Sequence, residues 1–244
     1  EAGRAAALSL TAAATAVKKG EADVLVTAPI HKDAIHSEAF PYVGHTEYLE
    51  AAWGEPGKDR ALMILLTEHL RIALATIHLP LREVANHITP ERLKTTIDAF
   101  LYSLQHDFLL SFAKLAVLGL NPHCGDGGTI GDEEQTIIKP LINEYAEAGK
   151  HLFGPFAADG FFGAAQYEAF QGVLAMYHDQ GLAPFKTMGM HNGVNFTAGL
   201  PFVRTSPDHG TAFDIVGKGE ADPTSFRQAI FVAIDIFRNR KAYN

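Results

Sequence analysis

At 244 residues and 47% hydrophobic composition, the chain is long enough for two packed lobes or one large α/β domain, and it is too apolar to be disordered. A formal net charge of −8, with no basic stripe interleaved with aromatics, argues against nucleic-acid binding, and no apolar run reaches membrane-spanning length. The single cysteine, Cys124, excludes an internal disulfide and suits a reducing, cytoplasmic compartment; the 12 histidines direct any metal site toward nitrogen and oxygen ligands.

The chain opens on Glu1 inside a helical pattern, so an upstream segment is expected. Ala5 to Lys19 is alanine-rich and helical, with Gly20 as its stop. Val24 to Thr27 reads as a short buried strand, broken by Pro29. A helix is predicted from His45 to Trp53, closed by Gly54, followed by strands over Ala61–Leu66 and Arg71–Thr76. Thr89-Pro90-Glu91 is a helix start, a capping hydroxyl followed by proline at the first helical position. Leu93, Ile97, Phe100, Leu101 and Leu104 then repeat at helical spacing.

Leu115 to Leu120 reads as a strand that stops at Asn121-Pro122-His123 and enters the glycine-rich turn Cys124–Gly128. A helix follows from Asp132 to Ala148, with Ile138, Leu141, Ile142 and Tyr145 facing inward. Gly172 to Tyr177 is a strand that delivers His178-Asp179-Gln180-Gly181. Ala183–Lys186, Val194–Thr197 and Phe202–Thr205 read as extended. Thr224–Asn239 is the last helix, with Phe226, Ile230, Ala233, Ile234 and Phe237 on one face. Strands alternating with helices imply an α/β fold with a mostly parallel sheet, whose polar groups gather beyond the carboxyl ends of the strands.

His78, His123 and His178 share one context: each closes an apolar run and enters a Pro- or Gly-containing turn. Intervals of 45 residues from His78 to His123 and 55 from His123 to His178 suit neighbouring strands joined by crossover helices. Three converging imidazoles can hold a divalent cation with a position open for substrate. A single histidine of this kind is more often a satisfied loop residue; three in matched contexts favour the metal. Asp159 and Asp179 are placed to add oxygen ligands or to orient the imidazoles, and equally to act as turn or cap residues. Cys124 reads as a small space-filling thiol, and His36, His69, His87, His106, His151 and His191 as surface or packing residues.

Lys186, Asn195 and Arg204 supply the charge and directional donors that a phosphate or carboxylate needs, and His45 and Thr46 open a helix whose free N–H groups favour an anion. Taken singly, Lys186 or Arg204 is more often a solvated charge. The chain has no Walker loop and no GxGxxG after a strand.

At these residues the sequence resembles the 4-hydroxythreonine-4-phosphate dehydrogenase family, through VTAPIHK, GHTE, HLPLR, GLNPHCGDGG, MYHDQG, GVNFTAGLPFVRTSPDHGTAFDI and GKGEAD. More distantly, HGTAFDIVGKGEADP is similar to a stretch of isocitrate and isopropylmalate dehydrogenases, which bind nicotinamide cofactors without the dinucleotide fingerprint. The resemblance implies an isocitrate/isopropylmalate dehydrogenase-like fold of two α/β/α lobes with mostly parallel sheets. Residues 1–48 and 210–244 would form the remainder of a first, cofactor-side lobe, and 49–209 a second lobe carrying the metal and substrate residues. It implies His78, His123 and His178 as ligands of one divalent ion (Zn, Mg or Co). His45, Thr46, Lys186, Asn195 and Arg204 would bind a small phosphorylated hydroxy-amino acid, and Lys186 or Asp179 would be the catalytic candidates.

It further implies NAD or NADP as cofactor, a homodimer with the site at the subunit interface, and one metal histidine donated across it. The distant resemblance alone places His209, Thr211 and Asp214 near the cofactor. The chain departs from the family at Cys124 and Asp126, where alanine and glutamate are usual. It also lacks the family's N-terminal segment with its GDPxGIGPE-like motif, so the first lobe is expected to be incomplete. Three alternatives stand beside this reading: a paralogous dehydrogenase of 4-phosphothreonate or phosphoerythronate, a metal-dependent hydrolase or lyase, and a non-catalytic fragment.

Overall fold

The computed structural model describes residues 1–42, 44–53, 61–189 and 192–243. Gly54, expected to close a helix, and His191 lie outside the described residues. In chain order the elements are α1 (Ala2–Lys18), β1 (Val24–Val26), α2 (Lys32–Ile35), α3 (His45–Trp53), β2 (Leu62–Leu66), β3 (Arg71–Leu74), α4 (Leu81–His87), α5 (Pro90–His106) and β4 (Leu115–Leu118). There follow α6 (Lys139–Glu147), β5 (Leu152–Phe156), α7 (Ala158–Gly163), β6 (Gly172–Ala175), α8 (His178–Gly189), β7 (Val194–Ala198), β8 (Val203–Pro207) and α9 (Thr224–Tyr243). Among the described residues no helix is long and apolar enough to cross a membrane.

The chain forms two compact units, one of Glu1–Met63 with His191–Asn244 and one of Ile64–Met190. These are drawn differently from the expected lobes, which divided at 48/49 and 209/210. The reason is packing: Tyr48 and Leu49 of α3 join Leu10, Ala14, Leu25, Ile35, Phe40 and Leu200 in one apolar cluster. β7 pairs with β8, and β8 with β1, so these strands also belong with the N-terminal elements.

In the first unit the strand order is β1-β8-β7, with β1 parallel and β7 antiparallel to β8. α9 covers one face, where the Thr205 hydroxyl donates to the Ala229 carbonyl at 2.8 Å. The buried residues of α9 are Ser225, Ala229, Ala233 and Ile236, whereas Ile230 is exposed. The expected face, led by Phe226 and Ile230, is therefore rotated by about one residue. Small side chains face the sheet because the helix backbone approaches close enough to accept that hydrogen bond.

In the second unit the order is β2-β3-β6-β4-β5. β2 is antiparallel to β3, and the pairs β3–β6, β6–β4 and β4–β5 are parallel. The largely parallel α/β architecture thus holds. Thr89 caps α5 by accepting from the Arg92 N–H at 3.3 Å, a cap worth about 1 kcal/mol. Leu93, Ile97, Phe100 and Leu104 are buried along its inner face, each contributing roughly 1.5–3 kcal/mol.

α5 lies over Gly172 through Phe100 and Leu104; α8 lies over Ile72, Leu74 and Ala175 through Gly181. Gly172 and Ala175 point to opposite faces of β6, so the two helices sandwich the sheet.

One expected extended run is corrected. Ala183–Lys186 lies inside α8. Pro184 disguises the helix, but Gly181 and Phe185, four residues apart, are both buried and mark its inner face. A Cβ at position 181 would stand 2.7 Å from Leu74 Cδ2, so the close approach of α8 to β3 needs glycine there. His178 accordingly begins a helix rather than an irregular turn.

Candidate functional site

β3, β6 and β4 are consecutive parallel neighbours, so their carboxyl ends share one sheet edge. His78, His178 and His123 follow those three ends in that order. The rings of His78 and His178 stand 5.8 Å apart between centroids, tilted by 40°. They line a cavity of about 550 Å³ together with Leu79, Leu81, Val84 and Tyr177. The Asp179 carboxylate lies 2.6 Å from His178 Nδ1, an arrangement that favours the Nδ1–H tautomer and leaves Nε2 with the lone pair.

His123 sits in a backbone of unusual hand. His123, Cys124, Gly125, Asp126 and Gly127 all have positive φ, from 43° to 76°. A left-handed turn through three non-glycine residues costs roughly 1–2 kcal/mol at each, and strain of this kind persists only where its surroundings enforce it. Here the buried carboxylate of Glu134 anchors the entry to the turn. Its Oε1 accepts from the N–H groups of Leu120 and Asn121, both at 2.7 Å, and Oε2 from Asn121 Nδ2 at 3.0 Å. Cys124 is half-buried, and burial first, then the Glu134 carboxylate, raises its pKa and keeps it a thiol.

Among the described residues no three His, Cys, Asp or Glu side chains gather as a metal-holding group. Two of the three predicted ligands, His78 and His178, come together; His123 and Asp159 do not complete a group with them. With Zn–N bonds near 2.0–2.1 Å, two imidazoles on one ion stand roughly 5–6 Å apart between centroids, so the observed pair fits a shared divalent ion.

The first unit carries the other part of the predicted site. Cross-strand pairing of Asn195 with Ser206, and of Thr197 with Arg204, puts all four on one sheet face. Arg204 is 3% exposed. Its three hydrogen bonds run to hydroxyls: Nε and Nη2 to Thr27 Oγ1 at 3.2 and 2.6 Å, and Nη1 to Thr197 Oγ1 at 2.9 Å. Burial lowers its pKa from 12.5 to about 10, with the Glu47 carboxylate acting in the opposite direction. His45, the first residue of α3, is lowered from 6.5 to about 3 by burial and then by the charges of Arg204 and Lys32, so it is neutral at pH 7. Among the described residues the buried side-chain oxygen of Asn195 has no hydrogen-bond partner.

The buried Arg204 guanidinium lies beside the neutral His45 imidazole, and Asn195, whose unpartnered atom is the acceptor oxygen, shares the sheet face of Arg204. Thr46 follows His45 in the same first turn, while Lys186 lies exposed on α8 in the second unit. His209, Thr211 and Asp214 occupy the segment after β8, with Asp214 in a short 3-10 turn.

Sequence reasoning missed Thr27, Thr197 and Lys32 because each gains meaning only through strand pairing or through space. It also missed Glu134, although a signal was present. Glu134, Ile138 and Leu141 share a helical face, so an acid stood in a row of core positions.

These features define an α/β protein with a paired-imidazole cavity and a buried arginine beside a neutral histidine. The chain belongs to the family described as pyridoxal phosphate biosynthetic protein PdxA, which matches residues 1–233. A curated relative from Bacteroides thetaiotaomicron, named 4-hydroxythreonine-4-phosphate dehydrogenase, is 54% identical over 99% of this chain and 66% of its own length. A crystal structure of a protein of that name from Klebsiella pneumoniae is 37% identical with a TM-score of 0.80, over 93% of this chain and 68% of that one. A terephthalate 1,2-cis-dihydrodioldehydrogenase from Burkholderia xenovorans is 27% identical with a TM-score of 0.68, over 96% and 73%. The chain spans 66% of the length of the first curated relatives it matches.

Proposed function

We propose that this chain carries the substrate and metal residues of an NAD(P)-dependent dehydrogenase that oxidises 4-phosphooxy-L-threonine. The product, 2-amino-3-oxo-4-phosphooxybutanoate, loses carbon dioxide to give 3-amino-2-oxopropyl phosphate, a step of pyridoxal 5'-phosphate biosynthesis. The observation that carries this reading is Arg204, a buried cation whose hydrogen bonds among the described residues run to hydroxyls, beside a neutral His45. Its hydroxyl partners offset the cost of burial without neutralising its charge, and a bound anion would do so. The relatives' names supply the substrate class.

In this reading Arg204, Asn195, His45 and Thr46 grip the phosphate and hold the rest of the substrate by a group remote from the reacting carbon. Lys186 adds a further positive charge for the substrate. His78 and His178 would hold one divalent ion (Zn, Mg or Co), with Asp179 orienting His178; His123 would be the third ligand in a homodimer whose interface completes the set. The ion, when bound, lowers the pKa of the substrate hydroxyl. The nicotinamide, when bound, accepts hydride, and His209, Thr211 and Asp214 line its side. Asp179, or Lys186 in its neutral form, would take the hydroxyl proton. A cytoplasmic location suits this chemistry.

These phosphate contacts do not read the amino group, so 4-phosphothreonate and phosphoerythronate are the competing substrates. The full-length protein, given each substrate with NAD or NADP and a divalent metal, is expected to turn over 4-phosphooxy-L-threonine most efficiently. Chelation and His123→Ala should each abolish that turnover. Full activity in His123→Ala, or preference for phosphoerythronate, would overturn the reading.

A further inference from the structure

The backbone ladder between β4 and β6 ends at Val117 and Leu174. Two positions further along each strand stand Gly119 and Met176, and one side chain joins them. Gln180 Oε1 accepts from the Met176 N–H at 2.7 Å, and its Nε2 donates to the Gly119 carbonyl at 2.6 Å. The amide thus continues the ladder by one more rung, with a side chain in place of a backbone contact. The remaining groups at these positions are also committed. Gly119 N–H donates to the Phe156 carbonyl at 2.8 Å, and the Met176 carbonyl accepts from the Thr76 hydroxyl at 2.7 Å. On the next peptide units, Glu134 holds the Leu120 and Asn121 N–H groups.

The consequence is positional. Met176 is two residues before His178, and Gly119 is four before His123. Gln180 itself stands on the first turn of α8, which His178 opens. Without the bridge, β6 would stay tied to β3 through Thr76 and β4 to β5 through Phe156, and the two exits would lose their direct tie to each other. A metal site tolerates misplacement of about 0.5 Å, so the support behind its ligands sets its affinity.

We propose that Gln180 is a positioning residue that ties the strand exit delivering His178 to the end of β4, and thereby tunes metal affinity at the His78–His178 pair. This rests on the metal reading given above. Gln180 touches neither metal nor substrate in that reading; it acts through the two turns.

The test measures Co²⁺ binding by the full-length protein, by calorimetry and by the visible d–d absorption of the loaded protein. Wild type is compared with Gln180→Ala, Gln180→Glu and His178→Ala, all well below their melting temperatures. Gln180→Glu keeps the shape and the Met176 contact but turns an oxygen toward the Gly119 carbonyl, so it isolates the bridging arm. The Co²⁺ dissociation constant should rise by about tenfold or more in both Gln180 variants, with shifted d–d bands, as removal of supporting partners does at metal sites. Affinity for inorganic phosphate should stay at the wild-type value, which separates positioning from a general loss of stability. Wild-type Co²⁺ affinity and spectrum in Gln180→Glu would overturn the proposal. If His178→Ala and wild type bind Co²⁺ identically, the metal reading itself fails.

Discussion

Replacing Arg204 by methionine separates a residue kept for binding from one kept for stability. Burial disfavours the charged guanidinium by the difference between 12.5 and about 10 in pKa, roughly 3 kcal/mol. Three hydrogen bonds to Thr27 and Thr197 offset this, at about 1 kcal/mol each. The two terms nearly cancel, so Arg204→Met should change the unfolding free energy of the ligand-free protein by no more than about 1 kcal/mol, as replacement of buried charges often does. Anion binding has no such compensation. Loss of charge-assisted contacts worth about 1.5–3 kcal/mol should weaken inorganic phosphate binding by roughly 10- to 150-fold. Urea denaturation and phosphate titration calorimetry read the two effects separately. A variant destabilised by several kcal/mol that still binds phosphate normally would make Arg204 a structural residue and remove the phosphate site.

His45 predicts a pH dependence. Its folded pKa of about 3 lies below its ordinary 6.5, so the unfolded chain takes the proton first as the medium is acidified. The stability it contributes is complete above pH 6.5 and is lost at about 1.4 kcal/mol per pH unit between there and pH 3. His45→Gln should flatten the acid limb of stability against pH by one proton, and an unchanged slope would contradict the assignment. Gly125→Ala places a Cβ 2.4 Å from the Gly131 carbonyl at φ +76°, and should cost more than about 2 kcal/mol in urea denaturation. Asp126→Gly, at φ 43°, should instead stabilise by about 1 kcal/mol through relief of left-handed strain; a destabilised variant would show that the turn is not strained.

Elements with one clean period were legible in the sequence. α5 was bounded by Thr89 and Pro90 and sided by Leu93, Ile97, Phe100 and Leu104. The three histidines stood out because each follows an apolar strand, and parallel strands expose their carboxyl ends together; of the three, His78 and His178 meet in the fold. The face of α9 was not legible, since small residues pack inward only where the sheet comes close. α8 was hidden by Pro184. The left-handed turn at His123 was not legible either, because three of its five positive-φ residues are not glycine and its entry is anchored by Glu134 from the following helix. Arg204 was named from its type, but its burial and its hydroxyl partners depend on pairing between β1, β8 and β7.

Anomalous diffraction from crystals of the full-length protein grown with Zn²⁺ tests the central claim most directly. A single peak bonded to Nε2 of His78 and of His178, with His123 in its coordination sphere, is the predicted result. A peak bound elsewhere, or none beside these imidazoles at saturating Zn²⁺, would contradict it.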